Sequence, residues 1–265
     1  MALAQRNTAK AASKLAIVQP QKSSVYQTES FNDVYTVCAL CHEEKEIGVL
    51  TGAPGIGKTT ALKDFAKDYE GEVLFFTARQ EMSVRDFLQQ LATPLGLGTL
   101  YGSAYERTCM VIERLKQYPR TIIVDEAENL ARTSVSKLEI LRHIFDDAQV
   151  GVILAGTPRL KTVLIKGPSR RENLSQLYSR VGYFREVTGL SEADVMHIIS
   201  THKTTASARN DLWQVAADID HGGTRMFFKV WKLVQKLLTS EEQEISRDMV
   251  RQIKSKYLLT GRQIL

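Results

Sequence analysis

Gly52-Ala53-Pro54-Gly55-Ile56-Gly57-Lys58-Thr59 is the stretch that decides the fold of this 265-residue chain. It has the pattern G-x-x-x-x-G-K-[ST], in which successive backbone N–H groups of a loop point at the phosphates of a nucleotide. An apolar run at 47–50 precedes it, and a run of helix formers at 60–67 follows it. The sequence therefore predicts a strand, a phosphate-binding loop and a helix whose positive dipole end faces the phosphates.

Most positions of this loop have a predicted role in holding a nucleoside triphosphate. The glycines allow the backbone to wrap closely around the phosphates, Lys58 would reach the β- and γ-phosphates, and the Thr59 hydroxyl would bind Mg²⁺. The alternative is a glycine-rich turn that contains a lysine by chance. The predicted nucleotide-binding residues are Gly52, Pro54, Gly55, Ile56, Gly57, Lys58, Thr59 and Thr60.

A second apolar run, Thr121-Ile122-Ile123-Val124-Asp125-Glu126, ends in two acids. A carboxylate at the carboxyl end of a strand lies where α/β sheets bind ligands. We expect Asp125 to hold Mg²⁺, directly or through water, and Glu126 to polarise the water that attacks the γ-phosphate. Such a strand end is also common in purely structural contexts, so the assignment depends on the phosphate-binding loop that precedes it.

Further polar residues fit the same chemistry. Thr157 ends the next apolar run, where its hydroxyl would reach the γ-phosphate or the attacking water; the alternative is a turn hydroxyl before a proline. Arg180 precedes the last predicted strand and would enter a neighbouring subunit's site, with Arg170 and Arg171 as competitors for that role. Arg225 follows a Gly-Gly pair at the start of a helix and would point back at the phosphates.

Composition sets the limits for these assignments. The chain is long enough for an α/β core and a smaller domain, and it has no run of eighteen apolar residues that would span a membrane. Residues 1–28 contain basic and no acidic side chains, which indicates a disordered basic arm; a mitochondrial-type presequence would share that composition. The net charge of +5 permits nucleic-acid binding without proving it.

The chain has three cysteines, and two of them lie in Cys38-Ala39-Leu40-Cys41-His42. This stretch matches a haem-attachment pattern, but no export signal precedes it and it leads directly into the nucleotide strand. A zinc site lacks a second pair of ligands, since only Cys109 remains. The helical spacing of Val34, Val37 and the two thiols predicts reduced cysteines packed inside a helix, as in a cytosolic protein.

The rest of the chain alternates between apolar runs and helical patterns. Ser83 is predicted to cap one helix, and Met110, Val111 and Leu115 are predicted to form the apolar face of another. Alternation of this kind predicts right-handed crossovers and a parallel sheet that is covered on both faces. Strands are predicted at 72–77, 121–126, 150–155 and 183–187, helices at 83–91, 103–118 and 135–147, and a turn at 156–158.

No strand pattern is present after Ser191. Ser191-Glu192-Ala193-Asp194 resembles a capping box, and helices are predicted over 211–219, 224–238 and 246–257. The predicted organisation is a basic arm over 1–28, an α/β nucleotide-binding core over 29–188 and a small all-helical lid domain over 189–265.

These motifs together resemble those of the AAA+ ATPases, which have a P-loop core and a helical lid. More narrowly, the chain resembles the DNA-transposition regulators of the phage Mu B protein and TnsC type. The Mu B protein has an N-terminal helix-turn-helix domain for which residues 1–28 are too few, so the compact TnsC-like layout is favoured. The stretches that carry the resemblance are 52–59, 125–130, 151–160 and 177–181, within a core from about 45 to 190.

The resemblance implies an ATPase that uses Mg²⁺, assembles as a helical filament on duplex DNA when ATP is bound, recruits the transposase and disassembles on hydrolysis. It also implies ATP rather than GTP, a site completed by Arg180 of a neighbouring subunit, and a cytoplasmic protein of bacterial or phage origin. Arg79, Arg107 and Thr108 are the predicted DNA-facing residues, since they lie in or beside the segment that faces the filament axis in such ATPases.

Two other functions remain open for the same core. One is a helicase loader or replication initiator that acts on single strands or on a helicase, and the other is a signalling or secretion-associated P-loop switch that binds no DNA. A metabolic kinase is disfavoured by the helical lid and by the positions of Arg180 and Arg225. The roles of the basic arm and of the C-terminal tail, with Lys254, Lys256 and Arg262, are open as well.

Overall fold

The computed structural model describes residues 26–132, 134–167, 174–238, 240 and 243–257. The chain divides into two compact units. The larger unit contains Asp33–Thr51 and Thr59–Glu186, and the smaller unit contains 26–32, Gly52–Lys58 and the described residues after Glu186. Most of the basic arm and Arg262 of the tail lie outside the described residues.

Within the described residues of the larger unit, five strands form one parallel sheet in the order β2-β3-β4-β1-β5. The strands are β1 Ile47–Thr51, β2 Val73–Thr77, β3 Thr121–Asp125, β4 Val152–Gly156 and β5 Val181–Glu186. Every residue of β1, β3 and β4 is buried, which explains why these strands are nearly continuous apolar runs in the sequence. The predicted α/β fold class is confirmed.

The strand register brings the carboxyl ends of β1, β2, β3 and β4 to one edge of the sheet. Thr51, the last residue of β1, pairs with Gly156, the last residue of β4. Thr77, the last residue of β2, pairs with Asp125, the last residue of β3. Polar residues that follow these strands are therefore delivered to the same edge, where parallel α/β sheets bind their ligands.

Helices cover this sheet, and several begin where local chemistry predicts. Ser83 caps its helix through a capping box with Asp86, and Ser103 does the same with Glu106. The prediction of a simple turn at 156–158 is wrong, because Pro158 begins a helix; proline suits a first helical position, where its missing N–H is not needed. The helices are α1 Glu29–Glu44, α2 Lys58–Asp68, α3 Val84–Ala92, α4 Ala104–Gln117, α5 Ser136–Ala148, α6 Pro158–Lys166 and α7 Ser175–Tyr178.

The two neighbouring cysteines pack in helix α1, as the spacing predicted. Cys38 and Cys41 are fully buried and, like Cys109, are free thiols. A Cβ at Gly48 of β1 would overlap the Cys41 sulfur, so the helix packs directly on the strand backbone. Burial is the main cause that raises the pKa of the Cys41 thiol to about 12. The thiols are therefore structural hydrophobes at neutral pH.

Among the described residues of the smaller unit beyond Glu186, the regular elements are helices, joined by loops and one β-bridge between Thr204 and Ile245. Ser191 and Asp194 form the predicted capping box. The helices pack around a separate apolar core that includes Phe227 and Trp231. They are α8 Glu192–Ile199, α9 Ala206–Ala217, α10 Gly223–Leu237 and α11 Arg247–Tyr257. Within the described ranges, no helix combines the length and apolar character needed to cross a membrane.

Candidate nucleotide site

The backbone of the phosphate-binding loop has the shape that its glycines allow. Gly55 and Gly57 have φ angles of 83° and 108°, in the left-handed region that L side chains rarely adopt. A Cβ at Gly52 would overlap the carbonyl oxygen of Val187 and the side chain of Ile56. Glycine is therefore required at 52 by close approach and at 55 and 57 by backbone conformation.

Lys58 is held by carbonyl groups of its own loop. Its ammonium donates to the Gly52 carbonyl oxygen at 2.7 Å and to the Ala53 carbonyl oxygen at 3.0 Å, and the residue is only 8% exposed. A buried charge is stable only when polar groups surround it, and these carbonyls supply that environment. A phosphate group is charged and is a stronger acceptor than a carbonyl, so the Lys58 ammonium is suited to binding an anion.

The start of helix α10 contacts the phosphate-binding loop. The backbone N–H of Arg225 donates to the Gly55 carbonyl oxygen at 2.9 Å, and a Cβ at Gly55 would lie 3.4 Å from the Arg225 Cβ. Gly222 and Gly223, both with positive φ, turn the chain into this helix. The exposed guanidinium of Arg225 is therefore carried on a backbone that is bonded directly to the loop.

In the larger unit, Thr59 and Asp125 are in contact. The Thr59 hydroxyl donates to Asp125 Oδ2 at 2.7 Å, and Asp125 Oδ1 accepts the backbone N–H of Glu126 at 3.0 Å. Asp125 is 3% exposed, so its carboxylate is fixed at the tip of β3. A hydroxyl and a carboxylate side by side are oxygen ligands of the type that Mg²⁺ prefers, and the donor set fits that ion.

Glu126 occupies a strained position beside this pair. Its φ and ψ angles of 54° and 38° are left-handed, a conformation that costs roughly 1–3 kcal/mol in residues other than glycine and clusters at functional sites. Asn129 Nδ2 donates to Glu126 Oε2 at 3.3 Å and to the Ala78 carbonyl oxygen at 3.1 Å. Glu126 is exposed, so its carboxylate is accessible to solvent.

Glu128, to which the sequence analysis gave no role, holds Thr157. Its Oε1 atom accepts the Thr157 hydroxyl at 2.6 Å and the Thr157 backbone N–H at 3.0 Å. The only signal in the sequence was an acid three positions after Asp125. That signal did not identify the contact, because the partner of Glu128, Thr157, lies at the end of another strand.

Arg180 is bonded within its own chain. Its Nε donates to Asp146 Oδ1 at 2.5 Å, and its Nη1 donates to the Gln176 carbonyl oxygen at 2.5 Å. Arg142 also pairs with Asp146, so one carboxylate serves two guanidinium groups. The Arg180 side chain is 32% exposed and lies near the surface. The competing candidates at 170 and 171 lie outside the described residues.

The predicted DNA-facing residues differ in exposure. Arg79 is exposed and lines an open cavity of about 700 Å³ next to β2, and Arg107 is half-buried. Thr108 is a correction: it is 7% exposed, and its hydroxyl donates to the Ala104 carbonyl oxygen at 2.8 Å within helix α4. Met110, predicted to be buried, is 42% exposed. Val111 and Leu115 are buried, as predicted, so Met110 alone departs from the predicted apolar face.

Comparison with known proteins agrees with this architecture. A family model described as an AAA domain matches residues 41–164. The "ATP-dependent target DNA activator B" of Escherichia phage Mu is 22% identical over 233 residues, which cover 88% of this chain and 73% of that protein. The "Mu-like prophage FluMu DNA transposition protein B" of Haemophilus influenzae is 22% identical over 172 residues, covering 65% of this chain and 59% of that protein.

Solved structures share the fold at low sequence identity. The Aeropyrum pernix ORC1 protein in complex with DNA superposes with a TM-score of 0.60 at 15% identity, covering 90% of this chain and 65% of that chain. The Thermotoga maritima RuvB Holliday junction branch migration motor superposes with a TM-score of 0.54 at 16% identity, covering 89% and 72%. At these identities the likeness establishes the fold alone.

Proposed function

We propose that this chain, an AAA+ ATPase of the phage Mu B type, is an ATP-dependent activator of DNA transposition that binds duplex target DNA. The observation that carries the proposal is the similarity to the phage Mu target DNA activator, which extends over 88% of this chain. The chain spans about three quarters of that relative and about three fifths of the Haemophilus prophage protein, so the activity of the whole protein is part of the proposal.

The proposed chemical step gives each predicted site residue one role. Residues 52–58 hold the triphosphate, and Thr59, the next residue in the chain, holds Mg²⁺ together with Asp125. A Mg²⁺ ion held by these two residues would supply positive charge that stabilises the phosphates. Glu126 polarises the attacking water, and Arg225 approaches the phosphates from the start of the lid helix. In this proposal 29–188 form the nucleotide-binding core and 189–265 the helical lid, after the arm of residues 1–28.

Assembly is the second part of the proposal. Arg180 leaves Asp146 and enters the ATP site of a neighbouring subunit, where its guanidinium stabilises charge in the transition state. Because the site is complete only in the assembly, ATP favours oligomers and hydrolysis releases them. A helical filament needs only a weak basic contact with DNA from each subunit, since contacts add along the strand.

DNA contact and transposase recruitment complete the proposed function. Arg79, exposed at the end of β2, and the half-buried Arg107 are the candidates for binding the DNA backbone. The assembled protein then recruits and activates the transposase at the target, in a phage-encoded or bacterial system. The similarity to phage and prophage proteins supports this context.

Electron microscopy of the protein mixed with duplex DNA tests the proposal. We expect regular filaments or rings on DNA with ATP or a slowly hydrolysed analogue, and none with ADP. Lys58→Ala should abolish them because it removes the phosphate ligand, whereas the matched control Lys67→Ala, an exposed lysine on the same helix, should not. Free monomers in every nucleotide state would exclude the assembly and favour a loader or switch that acts on a protein partner.

A further inference from the structure

We propose that Glu128 positions the Thr157 hydroxyl so that it accepts a hydrogen bond from the attacking water, instead of donating one to the γ-phosphate. The inference rests on the ATPase site described above and assigns a division of labour within it. Glu128 acts through Thr157 and is a positioning residue.

The geometry commits the only proton of the Thr157 hydroxyl. A hydroxyl group has one proton to donate and two lone pairs that accept. The proton is used in the 2.6 Å bond to Glu128 Oε1, and the adjacent backbone N–H donates to the same oxygen at 3.0 Å. Hydrogen bonds to a carboxylate are about twice as strong as neutral ones, so this pair fixes the direction in which the hydroxyl donates.

Phosphate oxygens only accept hydrogen bonds, as does a hydroxyl oxygen whose proton is already used. A water molecule, in contrast, has two protons to give. A water that donates one proton to the Glu126 carboxylate and the other to the Thr157 oxygen turns a lone pair toward the γ-phosphorus, which is the orientation needed for in-line attack. The bond to Glu128 thus selects between the two roles that the sequence left open for Thr157.

Steric contact keeps the Glu128 carboxylate in place. A Cβ at Gly156 would overlap Glu128 Oε2, so the carboxylate lies directly against the backbone of the residue before Thr157. That second oxygen is buried and has no hydrogen-bond partner among the described residues. Leaving a buried polar atom unsatisfied costs free energy. The cost indicates that the other contacts of the Glu128 carboxylate determine its position.

A glutamine at 128 would keep the acceptor. The Thr157 backbone N–H is a donor, so it can bond to the oxygen of the glutamine amide but not to its NH2 group. It would therefore orient the amide with Oε1 toward Thr157. The Thr157 hydroxyl would still donate to that atom. An alanine at 128 would remove the acceptor and leave the hydroxyl proton free to bond to phosphate. The pair Glu128→Gln and Glu128→Ala therefore separates positioning by an acceptor from a requirement for charge.

The test compares steady-state ATP hydrolysis with equilibrium binding of ADP and of a slowly hydrolysed fluorescent ATP analogue. The proteins are the wild type, Thr157→Val, Glu128→Ala, Glu128→Gln and the double variant Glu128→Ala/Thr157→Val. We expect Thr157→Val and Glu128→Ala each to lower kcat by about 10-fold or more, the lower end of what a positioned proton acceptor contributes, with nucleotide affinities within about twofold. The double variant should be no slower than the slower single variant, and Glu128→Gln should retain most of kcat.

Three results would overturn the inference. If Thr157→Val loses affinity for the ATP analogue relative to the wild type but keeps its affinity for ADP, the hydroxyl donates to the γ-phosphate. Additive losses in the double variant would show independent roles, and a Glu128→Gln variant as slow as Thr157→Val would show that charge is needed. Circular dichroism checks folding, and Glu128→Gln, nearly the same shape as the native residue, carries the test if Glu128→Ala does not fold.

Failure of the wider proposal looks different. Wild-type hydrolysis that duplex DNA neither stimulates nor alters would count against the transposition function while the variants still decide the role of Glu128. A wild-type chain that binds the analogue but does not hydrolyse ATP would overturn both.

Discussion

The phosphate-binding loop and the tip of strand β4 hold their polar side chains in different ways. In the loop, the Lys58 ammonium donates to carbonyl oxygens five and six residues earlier, so the bonds that hold it come from its own loop backbone. At the tip of β4, Thr157 is bonded to a carboxylate 29 residues earlier in the chain. The loop therefore depends on glycines that permit its shape, and the strand tip depends on one side chain from another element.

Arg180, like Thr157, is held by a carboxylate that is distant in the sequence, since its partner Asp146 lies 34 residues earlier. If Arg180 completes a neighbouring subunit's site as proposed, Arg180→Ala should lower kcat by about 100-fold or more, since such a guanidinium supplies much of the transition-state charge stabilisation. Nucleotide affinity of the isolated subunit should not change. Steady-state hydrolysis at increasing protein concentration, with Arg142→Ala as the control that shares the same carboxylate, measures the effect.

Mixing experiments decide whether Arg180 acts within its own subunit. Arg180→Ala keeps an intact site, and Glu126→Gln keeps an intact arginine, so a mixture of the two inactive proteins should regain activity. A mixture as inactive as its components would place the arginine's role inside its own chain.

The loop has a prediction of its own, with a smaller effect. Gly55→Ala should lower the free energy of unfolding by about 1 kcal/mol, because alanine is strained at a φ of 83°, and it should weaken ATP-analogue binding as well. Gly71→Ala is the matched control, since Gly71 has a φ of 89° in an exposed turn with open space around its Cα. Thermal unfolding and analogue binding measured on both variants make the comparison.

A loss of stability in both variants, with a loss of binding only in Gly55→Ala, would confirm that the loop needs its backbone shape for the nucleotide. Unchanged binding in Gly55→Ala would show that the loop adapts.

The smallest expected effect concerns an exposed side chain at the end of β2. Arg79→Ala should weaken duplex DNA binding by a similar factor for all sequences and reduce the salt slope by about 1, as expected for one lost phosphate contact. Thr108→Val should have no effect, because its hydroxyl is already bonded inside helix α4. Binding titrations at several salt concentrations test both, and an unchanged slope for Arg79→Ala would remove Arg79 from the DNA surface.

The contrast between the two regions also explains what the sequence could predict. The loop, the buried strands and the capping boxes at Ser83 and Ser191 rest on contacts within a few residues, and their positions were predicted within about two residues. The partners of Thr157 and Arg180 come from other elements. No local pattern identifies such a pair, so neither Glu128 nor Asp146 was predicted.

Helix α4 shows a second limit. Met110 was predicted in the core and Thr108 at the surface, and the structure has the opposite arrangement. The buried residues Thr108, Val111, Ile112 and Leu115 follow helical spacing, so Val111 and Leu115 were predicted correctly and Met110 was not. Hydrophobicity alone favoured the methionine, whereas packing of the helix buries a threonine that satisfies its hydroxyl on the preceding turn.

The burial of Cys38 and Cys41 has a practical consequence for chemical labelling. Burial raises the pKa of the Cys41 thiol to about 12, so this thiol is protonated at neutral pH, and ionisation is needed for attack on a maleimide. Cys109 is partly exposed on helix α4, two residues from Arg107. The native chain thus has a single accessible thiol on which a fluorophore reports from the helix that carries a predicted DNA contact, without any engineered cysteine.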